Sequence, residues 1–524
     1  MSTYKKMKKR RDNWKGTAVN RGKEVRYQKK EIKRIKKERD QYKKAWRETK
    51  KELEELKRRN KTLSVCDKTT VVFLSLQLFV VARIGFRAIS RVLAVMAPQL
   101  GLAKAPCPQT IINWINRLAI VRMKDDLPAV DLRTAIPLFS RGFILLLDAT
   151  IGLGQGKIMT VLALDANHYV VNPGAPSLQN VTCVAVAVAD TWTGETIAAL
   201  LQKIIARIGS PFAYLKDGGS DLGKAVRLLN EKGLCGVTID DLSHFVANLL
   251  KHEYQTHPMF GVFIRTCGKV SKMLKQSMLA CLAPPKVSTK ARFMNLHRLV
   301  KWAARVLQLS PRGRAAKGSI LQKLRDRLDQ LPQCRRFIND FLRDVEPILE
   351  CQEILKTKGL SQDSADECRP IIARIPNSYV RCGLTDWLER HFVIAKTLGL
   401  HETGMPISSD TIESLYGVAK IHGTGEIKDA DRMAPRIPVL CGALTRQDAE
   451  NVLGVSVKEQ REWSCSSPSL TKQRRDVLSD GGCLEKIPTA DGHQDIELIV
   501  GSKPGQNPPC SNRKSVCYEN NSEP

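Results

Sequence analysis

The stretch from residue 141 to 254 constrains the fold most, because two of its apolar segments run straight into an aspartate. Residues 143–147 show no alternation of polar and apolar side chains, which predicts a strand buried on both faces, and Asp148 follows it. A second predicted strand, 211–216, ends in the same way at Asp217. Open α/β sheets bind ligands at the carboxyl ends of their strands, and clustered carboxylates there need a cation. We therefore expect a divalent-metal site, completed by an acidic residue from elsewhere.

The order of the predicted elements in this stretch indicates the fold class. Three consecutive strands come first, at about 142–148, 157–165 and 180–189, with the glycine-rich IGLGQGK as the hairpin between the first two. They are followed by helices and strands in alternation: a helix 193–208 capped by Thr193, the strand 211–216, a helix 221–230, a strand 235–239 and a helix from Asp241. This is the order of a ribonuclease H-like core, an α/β fold with a mixed sheet flanked by helices.

A chain of 524 residues is too long for a single core, so we expect two to four domains with flanking segments. Periodicity and composition place the boundaries as follows: a basic coiled-coil arm (1–65), a helix-turn-helix domain (66–127), the first part of the ribonuclease H-like core (141–254), an all-helical insertion (255–405), the C-terminal helices of the core (406–463) and a disordered tail (464–524).

The formal net charge of +31 predicts a polyanionic partner, with nucleic acid the first candidate and an anionic membrane surface the second. Residues 1–60 carry 25 lysines and arginines against 9 acidic residues, a net charge of +16. No window offers 18 uncharged apolar residues, and the N-terminus is too basic for a secretory signal. We therefore expect a cytoplasmic, nucleoid-associated protein without a membrane partner. The 15 cysteines include no CxxC pair, so metal binding should use oxygen ligands.

Two helical segments precede the core. From Val25 a heptad seam runs to Leu63, with eight of its twelve positions apolar, which favours a coiled coil; a solvated basic helix is the alternative. In PQTIINWINRLA, Pro108 suits a first helical position, and the predicted buried face is formed by Ile111, Ile115 and Leu118. The opposite face suits the reading helix of a helix-turn-helix and carries Thr110, Asn113 and Arg117.

Glu413 is the predicted third carboxylate, on a helix opened by Ser408, Ser409 and Asp410. The spacing of Asp410 and Glu413 also fits a capping box, which would explain the glutamate structurally. Lys420 follows two turns later on the same face, where its ammonium could meet a DNA phosphate.

Three further polar residues are predicted to support the site. Asp241 and His244 lie one turn apart at a helix start, either as a cap with a half-buried histidine or close to the metals. Asp221 is a rival of Asp217 for the second carboxylate. The phosphate-loop spacing that ends at Lys224 is followed by Ala225 instead of a hydroxyl residue, which argues against nucleotide hydrolysis.

From about Ile84 to Trp463 the chain resembles the DDE transposases of bacterial insertion sequences. The resemblance is carried by TIINWINRL, the strand with Asp148, WTGETIAALLQKI, YLKDGGSDLGKAV, DLSHFVANLLK, APPKVSTKARFMNLHRLVKW and IESLYGVAK. It implies that Asp148, Asp217 and Glu413 form a metal-binding catalytic triad. Asp217 and Glu413 are 196 residues apart, much further than in compact members, so the helical region would be an insertion within the core.

The resemblance also implies an activity. Two Mg²⁺ or Mn²⁺ ions would activate water to cut a DNA phosphodiester, and the freed 3′-hydroxyl would then attack target DNA. The partners would be terminal repeats and target DNA, bound by a homo-oligomer, with backbone contacts from Lys290, Arg292 and Lys420. Two alternatives stay open: a non-catalytic, sequence-specific DNA-binding protein derived from a transposase, and a structure-specific nuclease on the same fold.

Overall fold

The computed structural model describes the chain in segments: residues 2–59, 66–123, 142–151, 156–286, 292–309, 313–421, 430–463, 475 and 498–499. Residues 124–141, most of the IGLGQGK hairpin and nearly all of the predicted tail lie outside these residues. Two units are distinguished, one of residues 1–67 and 94–105, the other of 68–93 and 106–524. Within the described residues, no helix is both long and apolar enough to cross a membrane.

The first unit is built on one long helix, α1 (Ser2–Arg59). Its sequence is rich in Lys, Arg, Glu and Gln, which lose little side-chain freedom in a helix and therefore favour it.

The second unit begins with helices that lead to the sheet: α2 (Lys68–Val80), α3 (Phe86–Met96, whose last turn belongs to the first unit) and α4 (Pro108–Met123). Pro108 occupies the first turn of α4, as predicted. The predicted inner face of α4 is confirmed, since Ile111, Ile115 and Leu118 are fully buried.

Among the described residues, the sheet contains six strands: β1 (Phe143–Ile151), β2 (Lys157–Asp165), β3 (Val181–Ala189), β4 (Ala213–Lys216), β5 (Thr238–Asp240) and β6 (Leu498–Ile499). Their order is β5-β4-β1-β2-β3-β6. β1, β2 and β3 form an antiparallel meander, β4 lies parallel to β1, β5 lies parallel to β4, and β6 pairs antiparallel with β3. This topology confirms the predicted ribonuclease H-like sheet.

The helices of this part of the core are α5 (His168–Val171), α6 (Gly194–Ile208), α7 (Ser220–Glu231) and α8 (Leu242–Tyr254). As predicted, Thr193 caps α6, and it forms a reciprocal capping box with Thr196. The apolar faces of α6 and α7 join one face of the sheet in a single buried cluster, which includes Leu145, Leu201 and Tyr214.

Three strand boundaries differ from the prediction. β4 starts at Ala213 rather than Pro211, because proline has no N–H for the ladder. β5 starts at Thr238 rather than Cys235, since its first partner in the register is Tyr214, near the start of β4. β1 continues to Ile151 as a hairpin with β2, so Asp148 does not end its strand; it lies where β1 loses its parallel neighbour.

The predicted all-helical insertion is confirmed for the described residues between 255 and 405, apart from one isolated bridge between Leu360 and Met405. Its helices are α9 (Pro258–Lys275), α10 (Arg292–Leu309), α11 (Ile320–Leu328), α12 (Arg335–Lys358), α13 (Gln362–Ala373) and α14 (Ser378–Thr397). The insertion joins the core through α8, which packs against α10, α12 and α14.

The C-terminal helices are α15 (Asp410–Ile421), α16 (Ala430–Met433), α17 (Arg446–Gly454) and α18 (Val457–Trp463). α15 packs against β1, whereas α17 packs against α2 and α4, and α18 packs against α4.

Candidate active site

The strand register brings the first two predicted carboxylates together. The last pair of the parallel β1–β4 ladder is Leu147 with Lys216, and Asp148 and Asp217 are the next residues on the two chains. Neighbouring strands lie about 4.8 Å apart, so the two residues leave the ladder side by side at its carboxyl end. The carboxylate of Asp217 also accepts a hydrogen bond from the amide of Gly219 at 2.9 Å, which holds it in the turn before α7.

The third predicted carboxylate reaches the same edge on α15. Tyr416, one turn after Glu413, donates a hydrogen bond from its hydroxyl to the backbone carbonyl of Asp148 at 2.8 Å. Tyr416 is buried, so this contact fixes α15 directly above the strand that carries Asp148. Glu413 precedes Tyr416 by three residues and therefore lies on the same face of α15, which is turned towards β1.

Asp241 links the remaining elements of the site. It is buried and caps α8, with Oδ1 accepting hydrogen bonds from the amide of His244 at 2.7 Å and from its ring Nδ1 at 3.0 Å. Its other oxygen accepts hydrogen bonds from the amide and, at 2.9 Å, the hydroxyl of Ser409, immediately before α15. One carboxylate thus holds the starts of α8 and α15 together.

His244 bridges this buried aspartate and the predicted triad. Its Nε2 lies 3.3 Å from Oε1 of Glu413, while Nδ1 faces Asp241. The hydrogen bond with Asp241, together with the charges of Asp241, Glu413 and Asp217, raises the pKa of His244 to about 9 against the lowering effect of burial. At neutral pH the ring is therefore an imidazolium that can donate to both carboxylates.

Burial and neighbouring charges shift the protonation of two of the acidic side chains. Burial, with smaller contributions from the charges of Asp217 and Glu413, raises the pKa of Asp148 to about 7, and the charge of His244 opposes the shift. Burial also raises the pKa of Glu413. Nearby like charges disfavour ionisation, so Asp217 and Glu413 both act electrostatically on Asp148.

The insertion contributes to this cluster. Lys356, near the end of α12, forms an ion pair with Asp410 at the start of α15, and Ser243 donates to the same carboxylate at 3.3 Å. The capping-box explanation of Glu413 fails, because Asp410 already belongs to the helix and the amide of Glu413 donates to the carbonyl of Ser409 at 3.3 Å. Glu413 therefore has no capping role that would account for it.

Other predicted residues lie near the cluster without joining it. Asp221 is exposed on the first turn of α7, one turn beyond Asp217. Lys224, the lysine of the phosphate-loop spacing, instead pairs with Glu195 on α6 at 2.5 Å. Lys420 is exposed, with Nζ 5.8 Å from the ring centre of Tyr416, on the side of α15 that carries Glu413.

The predicted DNA-reading face of α4 has protein partners. Gln460 of α18 accepts a hydrogen bond from Arg117 at 2.8 Å and donates one to Asn113 at 2.9 Å. Thr110 lies 3.3 Å from the sulfur of Cys107. Lys290 and the side chain of Arg292 fall outside the described residues. The DNA-binding role of all these residues stays a prediction.

The carboxylates suit Mg²⁺ or Mn²⁺ in chemistry, because hard cations prefer oxygen ligands and would offset the negative charge of these side chains. Within the described part of the chain, however, no three His, Cys, Asp or Glu side chains are grouped as a ready metal site. Metal binding by Asp148, Asp217 and Glu413 therefore stays a prediction.

Two residues of the site, Tyr416 and Lys356, were missed by sequence reasoning, and Ser409 was predicted only to open the helix of Glu413. Tyr416 could have been noticed, since it follows Glu413 by one turn and carries a hydroxyl on an otherwise apolar helix face. Lys356 and Ser409 are ordinary residues in sequence, and only the tertiary structure brings them to Asp410 and Asp241.

Comparisons with known proteins establish no family. No protein-family model matches the chain, and none of the curated proteins is similar to it in sequence. Among solved structures, a Drosophila P element transposase strand transfer complex is similar at 12% identity and a TM-score of 0.39, over 77% of this chain and 100% of that chain. A likeness this low carries no argument, so the ribonuclease H-like assignment rests on the order and register of the strands themselves.

Proposed function

We propose that this protein is a DDE-type transposase, which cleaves DNA at the ends of a mobile element and joins those ends to target DNA. The observation that supports this most is that Asp148 and Asp217 follow the last pair of the β1–β4 ladder, while Tyr416 holds α15, the helix of Glu413, against β1. Perturbed carboxylates in such a position are characteristic of functional sites, because a fold does not otherwise benefit from placing like charges together.

The three carboxylates would hold the Mg²⁺ or Mn²⁺ ions. When bound, such ions supply activated water and stabilise the charge on a phosphate undergoing in-line displacement. The protein's own part is to hold the carboxylates in place: Tyr416 attaches α15 to β1, and Asp241 attaches it to α8. His244 orients Glu413 through its Nε2 and offsets part of the negative charge.

DNA would be held by the basic surfaces of the chain. α1 carries much of the excess positive charge, and neutralising phosphates releases counterions, which favours binding without regard to sequence. Reading of the element ends would fall to Thr110, Asn113 and Arg117 on α4, for which Asn113 and Arg117 would have to leave Gln460. Lys290, Arg292 and Lys420 would contact the DNA backbone near the site.

The test uses the purified full chain and a plasmid that carries the DNA flanking its gene. We expect Mg²⁺-dependent nicks at defined positions with the wild type, and none with Asp148→Asn, Asp217→Asn or Glu413→Gln, while a mobility-shift assay shows unchanged DNA binding. Asp221→Asn is the matched control, because it removes a neighbouring exposed carboxylate outside the cluster, and it should still cleave. Cleavage by any triad variant would remove that residue from the site.

The same experiment separates the alternatives. A wild-type chain that shifts the DNA but makes no metal-dependent nick would be a non-catalytic DNA-binding protein. Cleavage without joined products on added target DNA would indicate a structure-specific nuclease.

A further inference from the structure

Helix α1 exposes a regular apolar stripe. Every residue from 21 to 52 is exposed except Gly22 and Glu31, which are partly exposed. Apart from Tyr27, which lies off the stripe, the large apolar residues of this stretch are between 47% and 77% exposed and recur at spacings of seven, three, seven and four: Val25, Ile32, Ile35, Tyr42 and Trp46. This is the spacing of the seam positions a and d in a coiled coil.

The residues beside the stripe carry opposite charges on its two sides. Counting Val25 as position a, the four e positions on one side are all lysine: Lys29, Lys36, Lys43 and Lys50. On the other side, three of the four g positions are glutamate: Glu31, Glu38 and Glu52, with Ala45 between them. Charges at e and g determine which helices pair and in which orientation.

The charge pattern selects one arrangement. In a parallel, in-register pair, each g residue faces the e residue five positions later on the other helix, so Glu31 meets Lys36 and Glu38 meets Lys43 of a second copy. An antiparallel pair would place glutamates opposite glutamates and lysines opposite lysines, which is repulsive. We propose that residues 25–52 pair with the same helix of a second copy as a parallel, in-register, two-stranded coiled coil.

Other features of α1 agree with this pairing. Lys50 lies over the ring of Trp46, with Nζ 5.2 Å from the ring centre, so an e side chain already covers part of a seam residue. Polar residues within the seam set the register at a cost in stability, and Gln28, Arg39 and Thr49 fill that role. The f positions, opposite the seam, are all lysine (Lys30, Lys37, Lys44 and Lys51) and stay available for phosphates.

Cysteine crosslinking tests orientation and register in the full chain. Gln28 and Tyr42 both occupy d positions, 14 residues or about 21 Å apart along the helix. In a parallel, in-register pair each residue faces its own copy, at a separation of roughly 6 Å that a disulfide spans. Gln28→Cys and Tyr42→Cys, made separately and mildly oxidised, should each give a covalent dimer on a non-reducing gel. Lys37→Cys, at an f position, should stay at the wild-type background.

Either of two results would overturn the proposal. An antiparallel pair can bring only one of the two positions opposite itself, so crosslinking of one variant alone excludes the parallel arrangement. Crosslinking of neither variant above the wild-type background excludes the pairing. Neither result depends on DNA cleavage. The coiled-coil proposal can therefore be wrong while the proposed function is right, and the proposed function can be wrong while the coiled-coil proposal is right.

Charge reversal gives a second test by light scattering. Glu31→Lys with Glu38→Lys should shift the mass from two chains to one. Asp40→Lys with Glu48→Lys adds the same charge on the outer side and should remain a dimer. Mixing the first variant with Lys36→Glu, Lys43→Glu should restore a two-chain species. Equal dissociation of the two charge variants, or failure of the mixture to associate, would contradict the proposed pairing.

Discussion

The acidic edge of the sheet and the outer face of α4 differ in how their polar groups are satisfied. Both were predicted from sequence as functional surfaces made of three polar residues. At the sheet edge, burial together with the charges of Asp217 and Glu413 raises the pKa of Asp148 to about 7. On α4, Asn113 and Arg117 already share hydrogen bonds with Gln460. At the sheet edge, a ligand such as a cation would offset the negative charge of the carboxylates. On α4, hydrogen bonds within the protein already satisfy the polar groups.

This difference has a physical basis. Placing like charges together costs free energy that a folded protein can recover only through a ligand or a proton. A polar group that finds a partner within the protein stabilises the fold and requires nothing further. The comparison therefore favours the sheet edge as the place of chemistry, and it makes the α4 face the part of the proposal that most needs testing.

The largest effect is expected at Glu413. Glu413→Gln should lower Mg²⁺-dependent cleavage on the order of a thousandfold, because losing a metal-binding carboxylate costs several kcal/mol of transition-state stabilisation. Asp410→Asn, on the same helix, should reduce cleavage far less, since Asp410 pairs with Lys356. Rates are measured from nicked product on a denaturing gel. If both variants lost cleavage activity equally, Glu413 could not be distinguished as a metal ligand from Asp410 as a structural carboxylate.

A smaller effect is expected at His244. His244→Gln should lower cleavage about 10- to 100-fold, as is typical for residues that orient a metal ligand, because the charged contact with Glu413 is lost. The charge dependence can be checked with the pH profile. The ring loses its proton as pH rises through about 9, so wild-type activity should show a high-pH decline that the variant lacks. An unchanged profile would leave His244 with a packing role only.

The unsatisfied charge at Asp148 predicts a change in stability. In EDTA, the folded carboxyl releases its proton near pH 7 and the unfolded one near 3.8, so wild type should become less stable than Asp148→Asn as pH rises between these values. The difference should reach up to a few kcal/mol above pH 7 and vanish below about pH 4. Thermal unfolding followed by circular dichroism measures it. Mg²⁺ should stabilise wild type and not the variant; equal stability at all pH values in EDTA would contradict the clustering.

The smallest effects are expected on α4. Gln460→Ala should lower the free energy of unfolding by about 1 kcal/mol, the contribution of a typical hydrogen bond, without weakening DNA binding. Arg117→Ala should weaken binding to specific DNA by about 1 to 3 kcal/mol if α4 reads bases. Mobility shifts at several salt concentrations give both affinity and salt dependence. If Arg117→Ala lowered the free energy of unfolding without weakening DNA binding, α4 would be a packing element and not a DNA-reading helix.

Local sequence was sufficient for the fold of the core. Unbroken apolar runs predicted strands buried on both faces, and Ile144 to Leu147 are fully buried. The order of strands and helices predicted the ribonuclease H-like topology, and Thr193 marked the start of α6. These signals are local: each depends on residues within a few positions of one another, where hydrophobic periodicity and caps act.

What the sequence determined by itself was therefore the core, its strand order and the identity of the acidic residues. Only the tertiary structure decided that Asp148 lies within β1 rather than at its end, that Tyr416 joins α15 to β1, and that Lys356 reaches Asp410. These contacts join segments far apart along the chain, and ordinary residues such as lysine and serine acquire a role only from the neighbours that packing gives them. Helical periodicity specifies which face of α4 is buried, but not that Gln460 binds Asn113 and Arg117 on the other.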